Sequence, residues 1–466
     1  MTSLGAKWWL WLGRIQMKRR RYSSALSYFD RALALSPNDV AAYCYLGYCH
    51  HSAQHYENAI SAYDRALQLK PATAYARAQL GVILAHLGKY HEAVEELNRA
   101  FRLQPSLAND AFYQHVLGSA LSNLGSIEES LNAYSTAVTL NPNDAESHHG
   151  AGWALLSLNR YAEAEKSLRI AIDLNPREPV AFRNLGLVLL ELKKMDESRT
   201  QYERYVALRP EDPKGYLDLA CAFEELQRTT DAIEAYRTAI RLDPNKAAAF
   251  AYLAGLLTRT ARYQEAIPLW KKAIELNPYE PYLRGGFAWA ACESGQSKEA
   301  LEFLQTAIQS SPNAAGLHYD VSAVHFNRGE YQLAADAANR VVAIEPDNAE
   351  AYNSLGLAEL GQGNNAAALD AYQRCLQLKP NLAEAWHNLG ELYLHIERFD
   401  EAIGSLNKAV DLRSGNAATH HSLGRAYLKL GDITSALAQC DLLRSLETGR
   451  ETDLRDEIGQ SRLKVT

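Results

Sequence analysis

Eleven prolines of this 466-residue chain fall on one ruler: Pro37, Pro71, Pro105, Pro142, Pro176, Pro210, Pro244, Pro278, Pro312, Pro346 and Pro380. Successive spacings are 34 residues, except that Pro142 follows Pro105 by 37. Proline stops a helix because it lacks an amide hydrogen and its ring collides with the preceding turn. A fixed period of helix stops predicts a stack of helical hairpins, each ending its second helix at the same place. Such a chain has extended surfaces rather than one enclosed cleft, and its function is expected there.

Other residue types keep the same period. The first unit reads Trp9, Leu12, Gly13, then Ala25, Phe29, Ala32, and the second reads Tyr43, Leu46, Gly47, then Ala59, Tyr63, Ala66. The eighth reads Phe250, Leu253, Ala254, then Ala266, Trp270, Ala273. The twelfth keeps Trp386, Leu389, Gly390, Ala402, Leu406 and Ala409 but has Ser414 where proline is expected. The thirteenth keeps Leu423, Gly424 and Ala436 and puts Cys440 in place of the later aromatic. Apolar residues three and four apart share one helix face, so these slots converge between helices. The small residue after the leucine lets two helices approach closely, and the large side chain of the second helix fills the gap between hairpins. Pro179, Pro213 and Pro281 suit a first helical turn, where a missing N–H costs nothing.

The pattern resembles the tetratricopeptide repeat family over about residues 6–446. The resemblance implies an all-α fold: an α-solenoid of about thirteen helix-turn-helix hairpins winding into a right-handed superhelix. The expected organisation is repeats 1–3 over residues 6–107 and repeats 4–13 over 111–446 of the same array, with a three-residue insertion near 108–110. That insertion is read as a longer loop or a joint. Residues 447–466, with Leu454, Ile458 and Leu463 among many charges, are expected to form a capping helix. The first repeat is expected to present an uncapped apolar edge near Trp8, with homodimerisation through it one consequence.

The formal net charge of −7 offers no dominant positive field, so nucleic acid is not an expected partner. A local exception is the basic run Lys18, Arg19, Arg20, Arg21 near Trp8, Trp9 and Trp11. Contact with a membrane surface or nucleic acid competes there with the surface and core faces of repeat one, and the second reading is favoured. No apolar run is long enough for a membrane span and no secretory signal is recognisable. The six cysteines, Cys44, Cys49, Cys221, Cys292, Cys375 and Cys440, are scattered, which fits reduced thiols of a cytoplasmic protein.

Chemistry-bearing motifs are absent: no phosphate-binding loop, no dinucleotide fingerprint and no H-E-x-x-H. Adjacent histidine pairs such as His148-His149 point about 100° apart on a helix and do not share a metal. His115 and His149 hold equivalent slots in successive repeats, about a helix diameter apart, roughly 10 Å. No enzyme, cofactor or metal site is expected.

In the family resembled, first-helix residues outside the hairpin packing face a concave groove and bind peptide or protein segments. The matching positions here include Trp11, Tyr45, Tyr48, Trp153, Arg183, Asn184, Tyr252, Gly285, Gly286, Trp289, Tyr319, Asp320 and Asn388. Two adjacent glycines inside a helix cost about 1 kcal/mol each against alanine. Gly285 and Gly286 are therefore expected either to open a pocket among Tyr252, Trp289 and Tyr319 or to serve close packing within the array. The lysine, asparagine and arginine set of the family's carboxylate clamp does not occur in three consecutive repeats. The asparagine ladder of the O-linked N-acetylglucosamine transferases has only Asn184 and Asn388 in its slot. The expected function is a non-enzymatic scaffold that holds protein or peptide segments in its groove. The alternatives are a substrate-recruiting subunit of a separate enzyme, such as a glycosyltransferase, and an RNA-binding helical-repeat protein, which the acidic net charge disfavours.

Overall fold

The computed structural model describes residues 2–446 and 453–459. From Thr2–Lys18 to Ile433–Ser445, 26 α-helices pair two by two into thirteen hairpins, and no strand occurs among the described residues. The chain divides into two compact units, Met1–Leu242 with seven hairpins and Asp243–Thr466 with six. Within each unit, a helix packs on its neighbours in sequence, as in an α-solenoid.

The helix ends follow the chemistry of the slots. Several first helices start at an acid or amide whose side chain accepts a backbone N–H: Asp39 from Ala42, Asp212 from Lys214, Asn348 from Ala351 and Asn416 from Ala418. Second helices stop two residues before each ruler proline, at Leu35, Leu69 and Leu103 for example. The intervening residue is extended, with φ −141° and ψ 79° at Ser36 and φ −144° and ψ 90° at Lys70, because a following proline disfavours helical backbone. Arg413 adopts the same geometry, φ −147° and ψ 86°, although Ser414 follows it. Stacking on neighbours therefore imposes the stop even where the proline is lost.

The three extra residues after Pro105 are absorbed by a 3₁₀ helix, Pro105–Asn109. Asp110 then caps the helix Ala111–Asn123 through the Phe112 N–H at 2.9 Å, which restores the register.

Glycines after the leucine slot seat the large residue of the partner helix. A methyl group on Gly47 would meet the Tyr63 ring at 2.8 Å, and one on Gly186 would meet Tyr202 at 2.6 Å. In Asp243–Thr466 a methyl on Gly390 would meet Leu406 at 2.6 Å. Buried Tyr372, Leu389, Leu406 and Leu423 then form one strip of core through successive hairpins of that unit.

Residues 453–459 are helical, and the buried Leu454 and Ile458 pack on Ala436, Cys440 and Leu443. The remainder of the expected capping segment, 447–452 and 460–466 with Leu463, lies outside the described residues.

Every hairpin turns through one residue in the left-handed region. Six of these are glycines, such as Gly88 at φ 76°, and seven are not, such as Ala261 at φ 57°. Only glycine escapes the clash between Cβ and backbone there, worth roughly 1–2 kcal/mol. Nothing lies within 4 Å of a Cβ built on Gly88, so backbone strain alone decides its substitution. Gly88→Ala is expected to destabilise and Ala261→Gly to stabilise, each by about 1 kcal/mol. Denaturant midpoints at equal m-value check both signs.

Candidate partner-binding groove

The candidate residues lie on first helices and separate into groups. In Met1–Leu242, Trp11 is exposed and stacks on Trp8 at 5.2 Å between ring centroids. Tyr45 stacks on Phe29 at 5.5 Å with the Arg14 guanidinium 5.6 Å above its ring, and Tyr48 meets the edge of Tyr22 at 6.4 Å. Trp153 is half-buried against the core and lines a cavity of about 540 Å³ together with His115, His149, Arg183 and Asn184.

Polar side chains in that unit connect one first helix to the next. His149 Nε2 and Asn184 Nδ2 are 3.0 Å apart, and Arg183 Nε donates to Asp218 Oδ2 at 2.5 Å. Burial lowers the His149 pKa, consistent with a neutral ring accepting the amide. Burial also raises the Asp218 carboxyl, against the pull of Arg183. In Asp243–Thr466, Asn388 Nδ2 donates to Asn353 Oδ1 at 3.0 Å, and both side chains are buried. Each of these three pairs joins residues 35 apart. One repeat is 34 residues, so the rungs run from one slot to the next slot along on the following first helix. Asn184 and Asn388, expected to meet a partner, are thus bonded to the chain itself.

A further pair of slots at the same spacing, with an acid in the second, is incomplete. Residue 285, which lies 35 before Asp320, is glycine, and a Cβ placed on it would stand 3.4 Å from Asp320 Oδ1. A cavity of about 280 Å³ opens there, lined by Gly285, Ala288, Trp289, Cys292, Tyr319 and Asp320, with Ala323, Val324 and Asn327. Trp289 and Tyr319 are 48% and 38% exposed, so their rings present substantial area to solvent. Asp320 Oδ2 is buried without a hydrogen-bond partner, and so is Arg284 Nε. Arg284 Nη1 donates instead to the Pro278 carbonyl at 2.7 Å.

Two expected members stand elsewhere. Gly286 faces the interior: a methyl group there would meet the Trp270 ring at 2.5 Å. It serves close packing, because the indole in the second-helix slot extends to the next hairpin. Tyr252, 46% exposed on Ala247–Arg259, is not among the residues lining this cavity. The rungs and the part of Arg284 are not among the expectations drawn from sequence. Pairing Arg183 with Asp218, one residue beyond the period, was the available signal.

Among the described residues, no group of three or more His, Cys, Asp and Glu side chains comes together to hold a metal ion. No described helix is long and apolar enough to cross a membrane.

Burial lifts the Asp320 carboxyl from 3.8 to about 7, with the Arg284 charge opposing it. Between those two values the folded chain holds a proton that the unfolded chain has released, so stability falls as pH rises through the window. Asp320→Asn removes this dependence. Its thermal midpoint is expected to exceed that of wild type by several degrees at about pH 8 and to match it at about pH 4. Melting curves of the two proteins across that range check the sign.

Models described as tetratricopeptide repeat match residues 10–74, 115–179, 149–213, 217–281, 324–383, 353–417 and 387–446. Two more of the same description match 46–112 and 261–318. Among solved structures the chain is similar to yeast Tom70, at 17% identity over 97% of this chain and 99% of that one, with a TM-score of 0.46. It is similar to a chain of the APC/C hetero-tetramer Cut9–Hcn1, at 14% identity over 97% and 96%, with a TM-score of 0.40. It is also similar to YrrB, a TPR protein with an unusual peptide-binding site, at 23% identity over 39% of this chain and 92% of that one, with a TM-score of 0.36. No curated protein matches it.

Proposed function

The chain belongs to the tetratricopeptide repeat family, and we propose that it is a non-enzymatic scaffold that holds an extended segment of a partner protein against its first helices. The observation that carries this reading is a run of exposed aromatics on three consecutive first helices of Asp243–Thr466. Tyr252, Trp289 and Tyr319 are 46%, 48% and 38% exposed, each on a helix whose other faces are packed. Large aromatics left in water are the residues from which binding hot spots are made, because they release much area on burial and lose little conformational freedom. Their spacing along successive repeats favours a partner in extended form, gripped at several weak points at once.

Six free cysteines support a reducing compartment, and we assign the protein to the cytoplasm. Burial pushes the Cys44 thiol up to about 11 and Cys49 up to about 12, so neither is a ready nucleophile.

The test is selection of a random peptide library on the full chain, followed by affinity measurement with variants. Trp289→Asp is expected to weaken selected peptides at least tenfold, about 1.4 kcal/mol. Lys298→Glu, at an exposed position of the second helix Ser297–Ser310, is expected to leave them unchanged. Equal binding by wild type and Trp289→Asp would remove the groove of this unit from the reading. Far-UV circular dichroism establishes that both variants are folded.

A further inference from the structure

Asp218 and Asp320 occupy the same slot three repeats apart, and only Asp218 has its rung partner. In Met1–Leu242 the partner is the guanidinium of Arg183. In Asp243–Thr466 the corresponding residue is Gly285, and the space of the missing side chain is the cavity of about 280 Å³. We infer that this cavity is a subsite for an arginine side chain of the partner segment, which completes on Asp320 the rung that Arg183 completes on Asp218.

Four observations support this, apart from the groove reading on which it rests. The carboxylate is in place but unspent: Oδ2 is buried with no hydrogen-bond partner. A buried acceptor in that condition gains more from an incoming donor than an exposed one, because its desolvation has already occurred in the free protein. The walls suit a cation, since the aromatic side chains of Trp289 and Tyr319 line the cavity together with Asp320. The volume of about 280 Å³ is enough to take one long side chain. Finally, Arg284, the one cation acting appreciably on Asp320, is held by the Pro278 carbonyl and makes no ion pair with the carboxylate among the described residues. Arginine fits better than lysine because two donors of the fork can reach one carboxylate while the plane lies on an aromatic ring.

A partner-free test comes first. Gly285→Arg copies Arg183 into the vacancy and replaces a helical glycine by a good helix former. It is expected to raise the thermal midpoint, and to raise it more in the wild-type background than in Asp320→Asn. Equal increments in the two backgrounds would mean that Asp320 does not accept an arginine from this position, and would overturn the inference.

The second arm uses library-selected peptides and the full chain. Wild type is expected to select arginine at one position, with lysine weaker. Replacing that arginine by the neutral isostere citrulline should cost at least tenfold, and only a small fraction of that loss should remain in Asp320→Asn. Gly285→Arg should block the same peptides, whereas Arg284→Gln should bind them at least as well as wild type. Absence of a basic position, or citrulline binding as tightly as arginine, overturns the inference. Loss of binding in Arg284→Gln as deep as in Asp320→Asn also overturns it, by assigning the carboxylate to Arg284. In each case the groove reading survives if Trp289→Asp still abolishes binding, and falls with the subsite if it does not.

Discussion

The contact between a small residue on each first helix, glycine in most hairpins, and the side chain of the second helix that it seats sets the geometry of everything else. A glycine inside a helix costs about 1 kcal/mol against alanine. Burying the residue it admits stabilises by roughly 1.5–3 kcal/mol, so close approach wins. Tyr63 against Gly47, Tyr202 against Gly186 and Leu406 against Gly390 are instances. The seat fixes how near the two helices of a hairpin lie and how the first helix is rotated. It thereby decides which first-helix residues reach the following repeat. The pairs His149–Asn184, Arg183–Asp218 and Asn353–Asn388 are consequences of that rotation.

Departures from the seat are informative because something else compensates for them. In the eighth hairpin the second helix carries Trp270, whose indole N–H donates to Thr258 Oγ at 3.1 Å. The ring extends to the ninth hairpin, and Gly286 gives it room. In the thirteenth hairpin the slot holds the small Cys440, and a leucine from outside the repeat fills the space: Leu454 lies against Gly424 and Cys440. The C-terminal helix therefore completes the last hairpin's core as well as covering its face.

The repeat architecture was legible because its cause is local. Proline, the leucine-glycine step and the alanines of the second helix each act within one hairpin, and thirteen copies average out individual exceptions such as Ser414. The candidate site was legible only in part. Trp289, Tyr319, Asp320 and Gly285, grouped by their slots, line one cavity in the structure. Gly286 was ambiguous, because whether a small residue opens a cavity or seats a neighbour depends on how far Trp270 reaches, and that is a three-dimensional quantity. Likewise Asn184 and Asn388 carry the family's slot, and each amide nitrogen already makes one bond within the chain, to His149 and Asn353. Sequence shows which group stands in a slot and not whether it is already bonded.

The rungs also have a mechanical meaning. Each ties one first helix to the next along a single edge of its stack, whereas the apolar contacts fill the stack's interior. An apolar contact yields gradually when two hairpins tilt apart, but a hydrogen bond or ion pair resists over a few tenths of an ångström and then lets go. Each rung therefore adds a resistance to splaying that the apolar contacts alone do not supply. Gly285 leaves the joint between the ninth and tenth hairpins of Asp243–Thr466 without this rung, so a ligand that supplied one there would act on the bending of the array as well as occupy a place on it.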